Sequence, residues 1–148
     1  MDNEKIKNLI ENAIEARQMA YVPYSGFKVG AALLSVCGAI FKGCNVENAA
    51  YSPTNCAERT AFCSAIVQGA KNFTAIAIVG GAEDTLAENC FPCGVCRQVM
   101  MEFCEQDFMI IIAIRPDDYK IFTLSELLPH GFGPANLTKS LAKALNIC

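Results

Sequence analysis

The sequence predicts an α/β fold of three layers, in which helices cover both faces of a mixed five-stranded sheet. Three observations support this prediction. Some segments repeat apolar residues every three or four positions, as amphipathic helices do. Between them lie short runs of apolar and β-branched residues, which are typical of strands. Because strands alternate with helices, we expect crossover connections with parallel pairing beside one antiparallel hairpin.

Three longer segments have the spacing and end signals of helices. The first begins at a capping Asn3 and must end before Pro23, because proline cannot continue a helix. The second spans 56–68, with an apolar face made largely of alanine, and Gly69 suits its end. The third runs from about residue 93 to about 104. These three helices supply most of the two outer layers.

Two shorter helices are expected near the end of the sequence. Thr123 and Glu126 have the spacing of a capping box, in which each side chain bonds the main chain of the other residue. Asn136 or Thr138 caps a last helix, whose apolar positions are Leu137, Leu141 and Leu145.

The strands are short, and one is apolar throughout. Residues 108–114 form that run, which indicates burial on both faces of the sheet. Cys37 and Gly38 form the short turn of a hairpin, whereas 80–89 is polar and predicts a loop. The predicted strands span 28–36, 39–46, 73–79, 108–114 and 120–124.

Composition limits the classes of protein. The 148 residues are 53% apolar and 18% charged, which fits one compact domain spanning 1–148. The net charge is −3 and the basic residues are scattered, so we expect no nucleic-acid partner. No signal segment and no apolar run long enough for a membrane span is present, so we expect a cytoplasmic protein that binds no membrane.

Nine cysteines are the unusual feature of the composition. Their odd number, without a secretory segment, predicts a reducing cytosol and argues against a disulfide scaffold. Cys44 and Cys90 lack paired spacing and are not expected to bind metal. Cys148 is expected to be exposed at the chain end. The cysteines predicted to be small buried apolar residues are Cys37, Cys63 and Cys104.

The remaining three cysteines have the spacing of a zinc site. Cys93 and Cys96 lie three residues apart at the start of a predicted helix, so both can reach one ion. Cys56 also begins a helix, and helix N-termini favour thiolate over thiol. Three thiolates leave a fourth coordination position open, which is the arrangement of a catalytic zinc rather than a structural one.

Two neighbours of Cys56 suit such a site. Glu58 cannot easily bind the same ion, because residues two apart on a helix point to different sides. It can reach a water on the metal, where it would act as a general acid and base. Arg59, one turn from Cys56, can donate hydrogen bonds to the thiolates and offset their charge. The whole pattern matches the general signature of zinc deaminases.

At this point the chain resembles the tetrameric cytidine deaminases, over about residues 6–132. The shared stretches are PYSGFKVGAAL from Pro23, NVENA from Asn45, CAERT from Cys56, PCGVCRQ from Pro92 and LLPHGF from Leu127. The resemblance implies deamination of cytidine and deoxycytidine by hydrolysis, which yields uridine or deoxyuridine and ammonia and serves pyrimidine salvage. It also implies one zinc ion per subunit, held by Cys56, Cys93 and Cys96, with Glu58 carrying protons.

The resemblance also implies the substrate contacts. Phe27 would pack against the pyrimidine ring, and Asn45 and Glu47 would hydrogen-bond the ribose. The carboxylate of Glu47 would repel a phosphate and so favour nucleosides over nucleotides. Ala57 would also contact the substrate. The family assembles as a homotetramer whose sites are completed by neighbouring subunits, and Tyr51 and Phe132 match residues at those contacts.

Other interpretations remain open from the residues alone. A structural zinc module that binds a partner would have a fourth protein ligand and would not need Glu58. A redox protein using Cys93 and Cys96 would hold no metal and would form a disulfide. A deaminase of a nucleoside analogue would share the zinc chemistry. Phe27 could be a core residue, Asn45 and Glu47 a solvated strand end, and His130, the only histidine, a turn residue.

Overall fold

The structure is a computed structural model that describes residues 1–82, 85–86 and 90–137. Its helices are α1 (Asn3–Arg17), α2 (Ala57–Val67), α3 (Gly94–Phe103), α4 (Leu124–Leu127) and α5 (Pro134–Leu137). Its strands are β1 (Phe27–Ser35), β2 (Ile40–Cys44), β3 (Phe73–Ala82), β4 (Met109–Arg115) and β5 (Asp118–Thr123). Within these residues, no helix is long and apolar enough to cross a membrane.

The five strands form one mixed sheet in the order β2-β1-β3-β4-β5. β1 is antiparallel to both of its neighbours, β3 and β4 are parallel, and β4 and β5 are antiparallel. The predicted five-stranded mixed sheet is therefore confirmed. Among the described strands, β3 and β4 are the one parallel pair, and α3 connects them. α2 instead leads from β2 to β3, which lie on opposite sides of β1.

The sheet has an apolar core on each face. One core packs α2, α3 and α4 against the sheet around residues such as Phe62, Met100 and Ile110. The other packs α1 on the opposite face around Leu9, Ile10 and Ile111. These two cores produce the predicted three layers, and β4 is buried on both faces as its apolar sequence predicted.

Several predicted boundaries shift in the structure. β2 ends at Cys44, so Asn45 lies beyond the strand. β3 continues to Ala82, because Gly80 and Gly81 still pair with β1; the predicted loop therefore begins too early. β5 is longer than expected, since Asp118 and Tyr119 join its pairing with β4.

The helix ends also differ in part from the predictions. Asp2 rather than Asn3 caps α1, through a bond of 2.9 Å from the Lys5 amide nitrogen to its carboxylate. The capping box of Thr123 and Glu126 is confirmed at the start of α4. Asn136 lies within α5 instead of capping it. The rest of the predicted last helix, including Thr138, Leu141 and Leu145, lies outside the described residues.

The cysteine predictions are partly wrong. Cys63 is exposed, because the buried face of α2 is formed by residues 57, 58, 61, 62 and 65. Cys37 is exposed in the turn between β1 and β2, and Cys104 is half-buried at the end of α3. Cys148 lies outside the described residues. The described thiols that are free are Cys44, Cys56, Cys63, Cys90, Cys93, Cys96 and Cys104.

Candidate active site

The candidate site lies at one edge of the sheet because of the strand directions. β2 and β3 are both antiparallel to β1, so they point the same way and end at the same edge. α2 follows β2 and α3 follows β3, and their N-termini meet beyond that edge. Ligands of open α/β sheets bind in this place, outside the carboxyl ends of strands. β1 begins at the same edge, so Phe27 also belongs to it.

Three thiols converge where the two helices begin. Cys56 is the N-cap of α2, Cys93 is the N-cap of α3, and Cys96 lies in the first turn of α3. Their sulfurs lie within 4.8 Å of one another, with Cys93 Sγ 3.8 Å from Cys56 Sγ and 3.6 Å from Cys96 Sγ. A tetrahedral zinc with Zn–S bonds of about 2.3 Å would separate its sulfurs by about 3.8 Å. The cluster therefore fits a zinc ion, and the described residues place no fourth histidine, cysteine or acidic ligand in it.

The cluster favours a negative charge even without metal. A hydrogen bond from Cys96, together with bonds from Arg59 and Cys93, lowers the pKa of Cys56 to about 5. The same bond raises the pKa of Cys96. Arg59 Nη2 lies 3.6 Å from Cys56 Sγ and donates to the Thr54 carbonyl at 2.9 Å. The Arg59 guanidinium therefore stands beside the thiolate that it was predicted to balance.

Glu58 is buried in the first turn of α2. Only 4% of the residue is exposed, and this burial raises the pKa of its carboxyl group to about 7. A general acid and base works best when its pKa lies near the pH of the reaction. The carboxyl group of Glu58 can therefore both accept and donate a proton near neutral pH.

Phe27, Gly80 and Cys90 lie together and form a wall at the sheet edge that carries the site. A side chain on Gly80 would collide with Cys90 Sγ and would lie 3.0 Å from Phe27 Cε1, so the two groups meet over the bare glycine. Burial raises the pKa of Cys90 to about 12, and the charges of Glu58 and Cys56 contribute. Cys90 is therefore a neutral, protonated wall residue outside the three-thiol cluster. The ring of Phe27 remains partly exposed.

Asn45 and Glu47 both hold the chain around Phe27. Asn45 Oδ1 accepts from the Val29 amide at 2.8 Å, and Asn45 Nδ2 donates to the Phe27 carbonyl at 2.9 Å. Glu47 Oε2 accepts from the amides of Tyr24 and Ser25 at 2.9 and 3.2 Å. A further bond from the Ser25 side chain is the main cause that lowers the pKa of Glu47. An amide and a carboxylate each have further hydrogen-bonding capacity, so both side chains can still bind a ligand.

An open cleft of about 430 Å³ lies next to Glu47. Its lining residues are Tyr24, Ser25, Glu47, Tyr51 and Thr54. The rings of Tyr24 and Tyr51 meet edge to face at 6.0 Å. Tyr24 was not among the predicted site residues, although an exposed aromatic ring is a signal for a binding surface.

The other predicted residues occupy different settings. Tyr51 is exposed and has the left-handed φ of 57°, which is uncommon outside glycine. Phe132 is exposed, and its carbonyl accepts from Gln98 Nε2 on α3 at 2.8 Å. Ala57 is fully buried in the single chain, so its predicted substrate contact is not open in this structure. His130 is a turn residue with φ 58°.

Together the fold and the cluster define a class of protein. A mixed sheet presents three thiols at two helix N-termini, and a buried carboxylate lies two residues from one of them. This is the arrangement of zinc enzymes that activate a water molecule.

Comparison with known proteins identifies the family within that class. The family model described as the cytidine and deoxycytidylate deaminase zinc-binding region matches residues 3–112. A curated cytidine deaminase of Sporosarcina psychrophila is 46% identical over 93% of this chain and 96% of its own length. One from Halalkalibacterium halodurans is 48% identical over 84% of this chain and 91% of its own.

Solved structures agree with this result. The crystal structure of cytidine deaminase from Burkholderia pseudomallei superposes with a TM-score of 0.77 at 46% identity, covering 84% of this chain and 97% of that one. The cytidine deaminase of Mycobacterium tuberculosis gives 0.70 at 39% identity, over 85% and 95%. The chain belongs to the family of zinc-dependent cytidine deaminases.

Proposed function

We propose that this enzyme deaminates cytidine and deoxycytidine by hydrolysis, yielding uridine and deoxyuridine with release of ammonia. The observation that carries the proposal is the buried Glu58 carboxyl group, whose pKa is raised to about 7 two residues from Cys56 of the thiol cluster. The reaction needs one group that takes a proton from water and returns protons to the base. A role in pyrimidine salvage follows from this substrate and product.

Cys56, Cys93 and Cys96 would hold one zinc ion per subunit. When bound, zinc supplies the Lewis acidity that makes a water molecule nucleophilic near neutral pH. Glu58 takes a proton from the attacking water and gives it to N3 of the cytosine ring while the oxygen adds to C4. Glu58 then carries the proton of the new C4 hydroxyl group to the amino group. The C4–N bond breaks, ammonia leaves, and the C4 carbonyl of uridine forms.

The substrate would lie between the thiol cluster and the cleft. The Phe27 ring packs against the pyrimidine, and Asn45 and Glu47 use their remaining hydrogen-bonding capacity to bond the ribose. The substrate contact of Ala57 stays a prediction, because this residue is buried in the single chain. Because Glu47 is negatively charged, a phosphorylated sugar is disfavoured beside it. This charge supports nucleosides rather than deoxycytidylate, although the family model covers enzymes of both kinds.

The assembly and the compartment are also part of the proposal. Residues 1–148 form one domain, and four copies assemble so that neighbouring subunits complete each site through Tyr51 and Phe132. Both aromatic residues are mostly exposed in the single chain, at 72% and 61%. We place the enzyme in the cytoplasm, because seven described cysteines are free thiols of the kind that a reducing compartment preserves, although Cys37 is disulfide-bonded.

An ultraviolet assay on cytidine tests this function directly. The purified protein should convert cytidine to uridine with release of one ammonia, and a chelator that removes zinc should abolish the conversion. Deoxycytidylate at the same concentration should be turned over much more slowly. A zinc-loaded protein without ammonia release would support a structural zinc module instead. A metal-free protein that forms a disulfide under oxidant would support the redox interpretation.

A further inference from the structure

Arg17 is a buried charge that the proposed reaction does not use. It lies in the last turn of α1 and is only 2% exposed. Its Nη2 donates to the carbonyls of Gly81 at 3.0 Å and Thr85 at 2.7 Å, and its Nε donates to the Lys28 carbonyl at 3.2 Å. Burying a guanidinium is costly, and an apolar side chain would fill the space without that cost. The arginine therefore points to a role in holding these main-chain groups.

Two of the carbonyl groups that Arg17 binds, those of Lys28 and Gly81, belong to the strand ends that carry Phe27, and the third, of Thr85, lies just beyond β3. Lys28 pairs with Gly81, and Phe27 pairs with Ala82. The guanidinium therefore bonds both strands at the place where β1 begins and β3 ends. α1 can lie this close because Gly30 has no side chain; a Cβ there would collide with the Ala13 carbonyl and the Arg17 amide.

The other edge of the same segment lacks regular strand pairing. β2 pairs with β1 only as far as Gly30, and beyond it the Asn45 side chain bonds the Phe27 carbonyl and the Val29 amide. Side chains therefore hold residues 27–29 from both edges, Asn45 on the β2 side and Arg17 on the β3 side.

This segment carries the Phe27 ring at the sheet edge where the candidate site lies. Phe27 and Cys90 meet over Gly80, and Cys90 is close enough to Glu58 and Cys56 to sense their charges. A shift of the β1 and β3 ends would therefore move the ring relative to Glu58. Displacement of reacting groups by about 1 Å can cost on the order of a hundredfold in rate.

We propose that Arg17 is a positioning residue that sets the Phe27 ring against the base by holding the ends of β1 and β3. This inference rests on the proposed function only in taking the base to lie against Phe27. The hydrogen bonds themselves do not depend on the substrate.

The test compares Arg17→Met with Leu9→Ala, both on α1. Leu9 is fully buried in the apolar core under α1. Both variants should lower the melting temperature. In zinc-loaded protein, Arg17→Met should lower kcat/KM for cytidine at least ~10-fold, whereas Leu9→Ala should stay within about twofold. Amide hydrogen exchange should accelerate at residues 27–30 and 80–82 in Arg17→Met alone, and Arg17→Lys should recover part of both losses.

Two results would overturn the proposal: unchanged kcat/KM in Arg17→Met, or an equal loss in Leu9→Ala. If Arg17→Met does not fold, the same measurements are made on Arg17→Lys. Wild-type kcat/KM or wild-type amide exchange in Arg17→Lys would then reject the positioning role of Arg17. If the wild-type protein does not deaminate cytidine, the proposed function fails by itself. Amide exchange at residues 27–30 still tests whether Arg17 stabilises the ends of β1 and β3. Unchanged exchange in the Arg17 variants would reject that positioning role.

Discussion

Burial gives Glu58 its chemistry. An exposed glutamate is ionised at neutral pH and is a weak acid catalyst, whereas burial in the first turn of α2 raises its carboxyl pKa to about 7. The same side chain can therefore take a proton and return one within a single turnover. The sequence showed that this carboxylate lies two residues from Cys56. The tertiary packing excludes water from around it, which raises its pKa.

Replacing Glu58 by glutamine should separate catalysis from metal binding. The amide fills the same space but cannot exchange a proton, so we expect turnover to fall by at least ~10², the lower end for acid–base catalysis. Zinc content and melting temperature should stay close to those of the wild type. Glu102→Gln, which alters an exposed carboxylate on α3, is the control and should retain full activity. Near wild-type turnover in zinc-loaded Glu58→Gln would exclude the proposed role.

The raised pKa of Glu58 also predicts how the stability of the metal-free protein depends on pH. The unfolded chain loses this proton near pH 4.5 and the folded chain near pH 7, so the folded state binds more protons between these values. The contribution of protonated Glu58 to the free energy of unfolding is complete below about pH 4.5 and is lost as pH rises through about 7. The loss is about 3 kcal/mol between these limits.

Denaturant unfolding of metal-free wild type and Glu58→Gln, at about pH 4 and about pH 8, measures this effect. The stability of the wild type relative to the variant should fall as pH rises, by about 3 kcal/mol. The thiols titrate in both proteins, so most of their contribution cancels in the comparison. A pH-independent difference would show that Glu58 is not buried as the structure describes.

At the scale of elements, two helix N-termini build the metal site. α2 and α3 each begin with a cysteine whose side chain makes no capping bond, so the thiol cluster lies at the N-terminus of both helices. Unsatisfied amides and the helix dipole both stabilise thiolates. The two helices follow β2 and β3, which end at the same edge of the sheet, and so the ligands meet although 37 residues separate Cys56 from Cys93.

Removing one thiol of the cluster should remove the metal. Cys93→Ala leaves two sulfurs, so we expect zinc to be lost on dialysis and deamination to be lost with it. Cys63→Ala is the matched control, because Cys63 lies on the exposed face of α2. Metal analysis after dialysis should find zinc in the control and none in Cys93→Ala. Full zinc content in Cys93→Ala would contradict the proposed ligand set.

At the scale of the whole molecule, the proposed tetramer would cover aromatic residues that the single chain exposes. Tyr24, Tyr51 and Phe132 all expose large apolar rings near elements that carry the site. Exposed rings of this size are typical of surfaces that another protein covers. The zinc cluster belongs to one chain, whereas a complete substrate site is expected only in the assembly.

Replacing Phe132 should weaken assembly and activity together. We expect the wild type to have a mass in solution of four times the 16.0 kDa chain, and Phe132→Ser to shift toward smaller species with lower turnover. Val67→Ser is the control, because Val67 is 83% exposed on the outer face of α2. Light scattering gives the mass and the cytidine assay gives the turnover. A wild-type monomer with full activity would reject the assembly proposal.

How far the sequence could be interpreted depended on the range of each interaction. The cysteine spacing, the capping box at Thr123 and the apolar run of β4 are local, and the structure confirms the helix start and the strand that the last two predict. The burial of Cys63 was predicted wrongly, because which face of a helix is buried depends on the layer it packs against. The extension of β3 through Gly80 and Gly81 was missed for a similar reason, since pairing with β1 outweighed the loop signal of two glycines.

By itself the sequence determined the α/β class, the order of the elements and the residue types that can hold zinc and move a proton. These properties follow from periodicity, capping and side-chain chemistry, which act within a few residues. Only the tertiary structure decided that β1 lies between β2 and β3, that Glu58 is buried, and that Arg17 and Asn45 hold the Phe27 segment from its two edges. Strand order, desolvation and hydrogen bonds between distant segments depend on packing across the whole chain, which no short stretch of sequence contains.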